Sequence, residues 1–106
     1  MADDLRDALQ LDGPQEHDLV IDHAAVISCV VIDGKGDSWV MPYHWLGPSR
    51  FLDGKFELCF GEHLVAVTVV DPQSTAFEQI LQAVAQWRLS LIAHGERFRI
   101  QVGLAT

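Results

Sequence analysis

The chain has 106 residues, of which 49% are hydrophobic, so it is long and apolar enough for a hydrophobic core and is not globally disordered. Fifteen acidic residues against seven Lys and Arg give a formal charge of −8, which leaves few cations for a nucleic-acid or anionic-membrane surface. No apolar run approaches the roughly 20 residues of a membrane-spanning helix, and the first residues lack a secretory signal, so we expect a cytoplasmic protein without nucleic-acid or membrane partners.

Residues 1–18 differ from the rest of the chain because they hold six acidic residues and a single arginine. Leu5, Ala8 and Leu9 have helical spacing, but a helix this short is marginal in water unless it docks. The sequence therefore predicts an acidic N-terminal arm or short helix over 1–18, followed by a single α+β domain over 19–106.

Strands are predicted through the middle of the chain. The pattern is β-like from 19 to 32 with Asp22 and His23 interrupting it, and the stretch 24–32 is apolar on both parities, which is typical of a central strand that is buried on both faces. A glycine-rich turn at 34–37 predicts a hairpin, and Pro42 marks the second strand as an edge strand because proline cannot donate a ladder hydrogen bond. Further strands are predicted at 55–60, 63–70 and 97–104, the first two on either side of a tight turn.

A long amphipathic helix is predicted from about 74 to 94. Ser74 or Thr75 can cap its start, Gly95 follows its end, and its apolar residues span an arc of roughly 140°. The element order is then β-β-β-β-α-β. This order predicts an antiparallel sheet of about five strands with the long helix packed across it, and the alternative is a strongly curled, barrel-like sheet.

Two residues of the predicted helix do not fit its amphipathic pattern. Arg88 falls within the apolar arc, where it must reach the rim of the sheet or pair with an acidic residue. Leu89 falls on the polar face near Ala85 and Ala93. These last three residues form a candidate helix-face contact with a partner helix.

The segment 39–51 is irregular and rich in aromatic residues, and loops of this kind on a rigid sheet are common binding surfaces. It could equally cap one end of the core. The candidate residues for binding a ligand or partner are Trp39, Tyr43, His44, Trp45, Arg50 and Phe51.

No motif for phosphate binding, hydrolysis or metal ligation is present in the sequence. Cys29 and Cys59 lie in strand-like runs without zinc spacing, so they are expected to be reduced. An acid–base enzyme built on His44 with Asp53 or Glu62 is a less favoured hypothesis. We therefore predict no catalytic residues, no metal and no cofactor.

The favoured function is a non-enzymatic protein-interaction module. One helix can cover one face of a sheet, whereas two strands are apolar on both faces, so a second subunit would supply the missing cover. We expect a homo-oligomer, with a dimer favoured. An acidic protein that binds a basic protein partner is a subtype of this hypothesis, and a small-ligand-binding domain that uses the aromatic loop 39–51 is the alternative.

Overall fold

The computed structural model describes residues 18–52, 54–71 and 74–104. These residues form eight strands and one α-helix, so the class is α+β, as the sequence predicts. The predicted N-terminal arm or short helix falls outside the described residues, apart from Asp18. In chain order the elements are β1 (Leu19–Ile21), β2 (Ser28–Ile32), β3 (Ser38–Pro42), a 3₁₀ turn (Tyr43–Trp45), β4 (Arg50–Leu52), β5 (Lys55–Phe60), β6 (His63–Val69), α1 (Ala76–Ala85), β7 (Leu89–Ala93) and β8 (Phe98–Leu104).

The strands form two four-stranded sheets rather than one sheet of five. Sheet A has the order β1-β7-β2-β3, and sheet B has the order β4-β5-β6-β8. All neighbours are antiparallel except β2 and β7, which are parallel. Both orders are open, so the predicted single sheet and its curled, barrel-like alternative are wrong. The reason is that Pro42 and the 3₁₀ turn end β3, and the chain that follows pairs with β5.

Several local predictions are confirmed. The turn at 34–37 joins β2 and β3 in an antiparallel hairpin, and β3 is an edge strand of sheet A. The turn at 61–62 joins β5 and β6, with Gly61 at a φ of 62° that side chains rarely adopt. Both strands that are apolar on both parities, β2 and β6, are central in their sheets.

The inner faces of the two sheets and one side of the helix share a single hydrophobic cluster. Alternation along each strand sends every second side chain inward, so that sheet B buries Phe56, Leu58 and Phe60 from β5 in the order that the sequence predicts. The largest fully buried side chains of the cluster are Tyr43, Phe56, Phe60, Phe98, Leu58, Ile80, Leu89, Ile92 and Ile100.

The helix is shorter than predicted, and its predicted end at His94 is wrong. The N-cap residue is Thr75, whose side chain makes no cap hydrogen bond, and the Oγ of Ser74 before it accepts a hydrogen bond from the N–H of Ala76 at 3.0 Å. At the other end Trp87 adopts a left-handed φ of 59°. The N–H of Trp87 then donates to the carbonyl of Val84 at 3.1 Å, and the N–H of Arg88 donates to the carbonyl of Ala83 at 2.7 Å. This pair of bonds closes a helix C-terminus, a position that glycine usually occupies.

The early end of the helix frees the following residues to form β7, which lies between β1 and β2. Leu89 is fully buried there, and its carbonyl accepts the hydroxyl of Tyr43 at 2.6 Å. Ala93 lies in the same strand, whereas Ala85 is the last residue of α1. The predicted helix-face contact of Ala85, Leu89 and Ala93 is therefore wrong, because the three residues share no helix.

The sequence predicts that Arg88 reaches the rim of the sheet or pairs with an acidic residue, but among the described residues its hydrogen-bond partners are a backbone carbonyl and an amide side chain. Its Nε donates to the carbonyl of Asp22 at 2.6 Å, and its Nη1 donates to the Oε1 of Gln86 at 2.8 Å. In return the N–H of Asp22 donates to the carbonyl of Arg88 at 2.8 Å. Arg88 therefore ties the end of β1 to the end of the helix.

Candidate interaction surface

A row of apolar side chains crosses the outer face of sheet A from one edge to the other. Val20 of β1 is opposite Leu91 of β7, Leu91 is level with Val30 of β2, and Val30 is opposite Val40 of β3. Ile32 lies on the same face two residues along β2. We call these five residues the apolar outer face.

The apolar outer face does not belong to the hydrophobic cluster. None of its five residues is part of the buried cluster or of the half-buried side chains that pack against it. Val40 is 65% exposed, and Leu91 at the centre of the row is 9% exposed because its strand neighbours flank it. Ile27, next to β2, is 85% exposed. Val20, Val30 and Ile32 are half-buried, so the row is partly exposed, and an apolar row of this kind is a candidate interaction surface.

The outer face of sheet B has a different chemistry. Arg50 on β4 is opposite Glu57 on β5, with Nε and Oε1 3.8 Å apart and both side chains well exposed. Lys55, Thr68 and Arg99 lie side by side on β5, β6 and β8. This face therefore mixes charged and polar side chains with the apolar Leu52, Leu64 and Ala66.

Two of the predicted site residues belong to the core. Tyr43 is buried, its ring stacks on Trp87 with centroids 5.4 Å apart, and burial raises the pKa of its hydroxyl. Phe51 stacks on Phe56 at 5.1 Å and meets the edge of Phe77 at 5.9 Å. These contacts agree with the interpretation that the aromatic residues cap the core.

The Trp39 side chain is fixed by a turn and by the other sheet. Its Nε1 donates to the Oδ2 of Asp33 at 3.0 Å, and its ring lies 5.4 Å from the ring of His63. The Oδ1 of Asp33 accepts the N–H groups of Lys35 and Asp37 at 2.9 and 3.0 Å. The indole hydrogen bond, followed by these backbone bonds, lowers the pKa of Asp33. Trp39 is therefore part of a closed turn rather than of an open pocket.

Trp45, His44 and Arg50 are exposed and point to different neighbours. Trp45 lies over Gly61, whose N–H donates to its carbonyl at 2.9 Å, and the edge of His44 lies 6.0 Å from its ring. Arg50 lies on the outer face of sheet B. The structure thus divides the predicted aromatic site among the core, a turn and two surfaces. None of the six predicted residues lines the groove that is described below.

The structure provides no acid–base pairing for His44 among the described residues. No hydrogen bond or ion pair joins His44 to Glu62, and Asp53 falls outside those residues. Both cysteines are free thiols, Cys29 on the inner face of sheet A and Cys59 on β5, and burial raises the pKa of Cys29 to about 12. Within 18–52, 54–71 and 74–104, no three His, Cys, Asp or Glu side chains converge to hold a metal ion.

Sequence reasoning missed the apolar outer face as a defined surface. Its signal was present, because the strand runs that are apolar on both parities include Val30 and Ile32, but the contribution of Leu91 was hidden in the predicted helix. The helix in the described part of the chain is too short and polar to cross a membrane. Comparison of the chain with models of known protein families, with curated proteins and with solved structures finds no match.

Proposed function

We propose that this chain is a non-enzymatic protein-interaction module that self-associates as a dimer through the apolar outer face of sheet A. The observation that carries the proposal is the row of Val20, Leu91, Val30 and Val40, which crosses all four strands and lies outside the hydrophobic cluster. Burial of this row against the same row of a second copy removes apolar surface from water on both sides.

The size of the surface supports a weak dimer. At a strand spacing of about 4.8 Å and a rise of about 3.3 Å per residue, the face is about 19 Å wide and about 13 Å long. This is about 250 Å² per copy, well below the roughly 800 Å² of a standard interface. We therefore expect a dissociation constant on the order of 10–100 μM and a dimer that is populated at high protein concentration.

Salt dependence separates self-association from capture of a basic partner. Two copies that each carry a charge of −8 repel each other, and salt screens that repulsion. A dimer of this chain therefore becomes tighter as salt rises, whereas a complex with a basic protein becomes weaker. Among the described acidic residues, Asp18 and Glu57 face arginines and Asp33 is held by its turn.

Sedimentation velocity of the full chain from about 10 μM to about 1 mM, at low and high salt, tests the proposal. The informative variant is Val40→Lys, because Val40 is exposed on an edge strand and the substitution is not expected to unfold the chain. Thr68→Lys is the matched control, since it makes the same charge change on an exposed position of the other sheet. Circular dichroism checks that both variants fold.

The expected result is a monomer–dimer equilibrium that salt strengthens and that Val40→Lys weakens at least about tenfold. Thr68→Lys should leave it within about twofold of the parent chain. Val30→Thr keeps the shape of the side chain and adds a hydroxyl at the centre of the row, so it should weaken the dimer without loss of the strand. A monomer at every concentration, or a dimer that is indifferent to Val40→Lys and Val30→Thr, would overturn the proposal.

A further inference from the structure

Along the outer edge of the last strand, the backbone N–H and C=O groups have hydrogen-bond partners in the first half and none among the described residues in the second half. β8 is an edge strand of sheet B, and its Arg99, Gln101 and Gly103 face β6 with their N–H and C=O groups. The alternate residues therefore direct these groups away from the sheet. At Ile100 both are satisfied, since its N–H donates to the Nδ1 of His94 at 2.9 Å and its carbonyl accepts the N–H of Gly34 at 3.0 Å.

Val102 and Leu104 direct the same groups outward, but no residue within 18–52, 54–71 and 74–104 bonds to them. They offer two backbone donors and two acceptors along the open edge. Leu104 is 67% exposed. An edge of this kind is a template for the addition of another strand.

A groove of about 540 Å³ runs beside this open edge. One wall is the β2–β3 turn with Gly34 and Lys35, and the other side includes Val102 and Gly103. Leu64 is level with Gly103 in the ladder, and because Gly103 has no side chain, Leu64 is left uncovered at the base of the groove. A Cβ at Gly103 would meet nothing within 4 Å, so there is room for an apolar side chain of a ligand.

One lysine and one aspartate are the charged residues of the groove lining, and they differ in exposure. Lys35 lies in the wall of the groove. Arg99 is two residues before the lining residue Gln101 on β8, and the two side chains lie on the same face of the strand. Asp33, the one acidic residue of the lining, is buried and turned toward the backbone and Trp39. The exposed charged side chain of the lining is therefore a lysine, which favours an acidic side chain of a ligand opposite it.

We propose that the open half of β8 binds an extended acidic segment of a partner protein, which adds to sheet B as a fifth strand. Its backbone pairs with Val102 and Leu104, its acidic side chains face Lys35 and Arg99, and one apolar side chain covers Leu64. The site lies on sheet B, so it does not depend on the self-association proposed for sheet A.

The test adds a peptide of eight residues, in which glutamate and valine alternate, to the folded full-length chain labelled with ¹⁵N. Two control peptides separate the causes of binding. One replaces each glutamate by lysine, and the other keeps the glutamates but carries N-methyl groups on every second amide, which removes its strand hydrogen bonds. Amide exchange at Val102 and Leu104 reports pairing directly.

The expected result is that the acidic peptide slows exchange of both amides at least about tenfold, while the lysine and N-methylated peptides do not. Leu104→Pro removes one outward donor at an exposed position and should abolish the protection. Lys35→Glu should weaken binding about threefold to tenfold at low salt. Arg50→Glu is the matched control, because it lies three strands away, or about 14 Å, and should have no effect.

Three outcomes would overturn the proposal. The first is absence of binding by the acidic peptide at millimolar concentration. The second is equal binding of the N-methylated peptide, which would show that strand pairing plays no part. The third is protection of the Val102 amide that persists in Leu104→Pro, with the fold of that variant checked by its unchanged amide spectrum outside β8.

Discussion

The outer faces of the two sheets obey the same strand alternation and present opposite chemistry to their surroundings. Sheet A shows Val20, Val30, Val40 and Leu91 in one row, while the corresponding positions of sheet B include Arg50, Glu57, Lys55 and Arg99. The inner faces are alike, since both contribute to one hydrophobic cluster. The comparison teaches that burial of the core explains the inward-facing residues of each strand, and that the outward-facing residues are what distinguishes the two sheets.

The difference also separates the kinds of contact that each sheet can make. The face of sheet A can be covered by any apolar surface of similar shape, which is why its proposed partner is a second copy. The face of sheet B already carries charged side chains, and the backbone edge of β8 has N–H and C=O groups that no described residue bonds. A face contact depends on buried area, whereas an edge contact depends on hydrogen bonds and charge.

The largest expected effect contrasts the two faces of β5. Phe56→Ala should reduce the free energy of unfolding by about 3–5 kcal/mol, because Phe56 is 1% exposed and contacts the rings of Phe51 and Phe77. Glu57→Ala, the next residue on the outer face, should change it by less than about 0.5 kcal/mol, since its pair with Arg50 is exposed. Urea denaturation at a protein concentration too low for dimerisation measures both values, and equal costs would contradict the inner and outer assignment.

An intermediate effect tests the helix end that frees β7 for sheet A. Trp87→Gly and Trp87→Ala both lose the ring that stacks on Tyr43, but Gly adopts the left-handed backbone of this position without steric cost. Trp87→Gly should therefore be more stable than Trp87→Ala by about 1 kcal/mol. Thermal or urea unfolding of the two variants side by side measures the difference. If Trp87→Ala is the more stable variant, residue 87 is not left-handed.

The smallest change compares a thiol on the inner face of sheet A with one on sheet B. Cys29 is fully buried with a pKa of about 12, so at pH 8 almost none of it is thiolate, whereas Cys59 is half-buried. An alkylating reagent at pH 8 should modify Cys59 in the native chain and reach Cys29 after addition of urea. Peptide mass spectrometry distinguishes the two sites. Native modification of Cys29 at a similar rate would contradict its place in the core.

Features that depend on neighbours in the sequence could be predicted. The alternation of Phe56, Leu58 and Phe60, the hairpin turn at 34–37 and the edge position of β3 all follow from side-chain spacing, glycine or proline. The candidate site was predicted less well. The sequence placed an apolar surface on the central strands, but it also grouped aromatic residues that the structure places in the core and at separate turns.

The error at the helix end had a signal in the sequence. Arg88 was out of place in the apolar arc and Leu89 on the polar face, and both anomalies disappear once the helix ends at Ala85. The residue that ends it is Trp87, and a tryptophan has no propensity for the left-handed backbone that a helix end of this type needs. Propensity alone therefore continued the helix through residues that pair as a strand.

The sequence by itself determined the α+β class, the central strands, the hairpins and the inward-facing side chains, because alternation and turn chemistry act over a few residues. The tertiary structure decided how the strands divide between two sheets and whether Leu89–Ala93 is helix or strand. The physical reason is that β7 pairs with β2, about sixty residues earlier in the chain, and with β1. The free energy of these distant contacts exceeds the small local preference for helix, so the apolar outer face exists only in the folded chain.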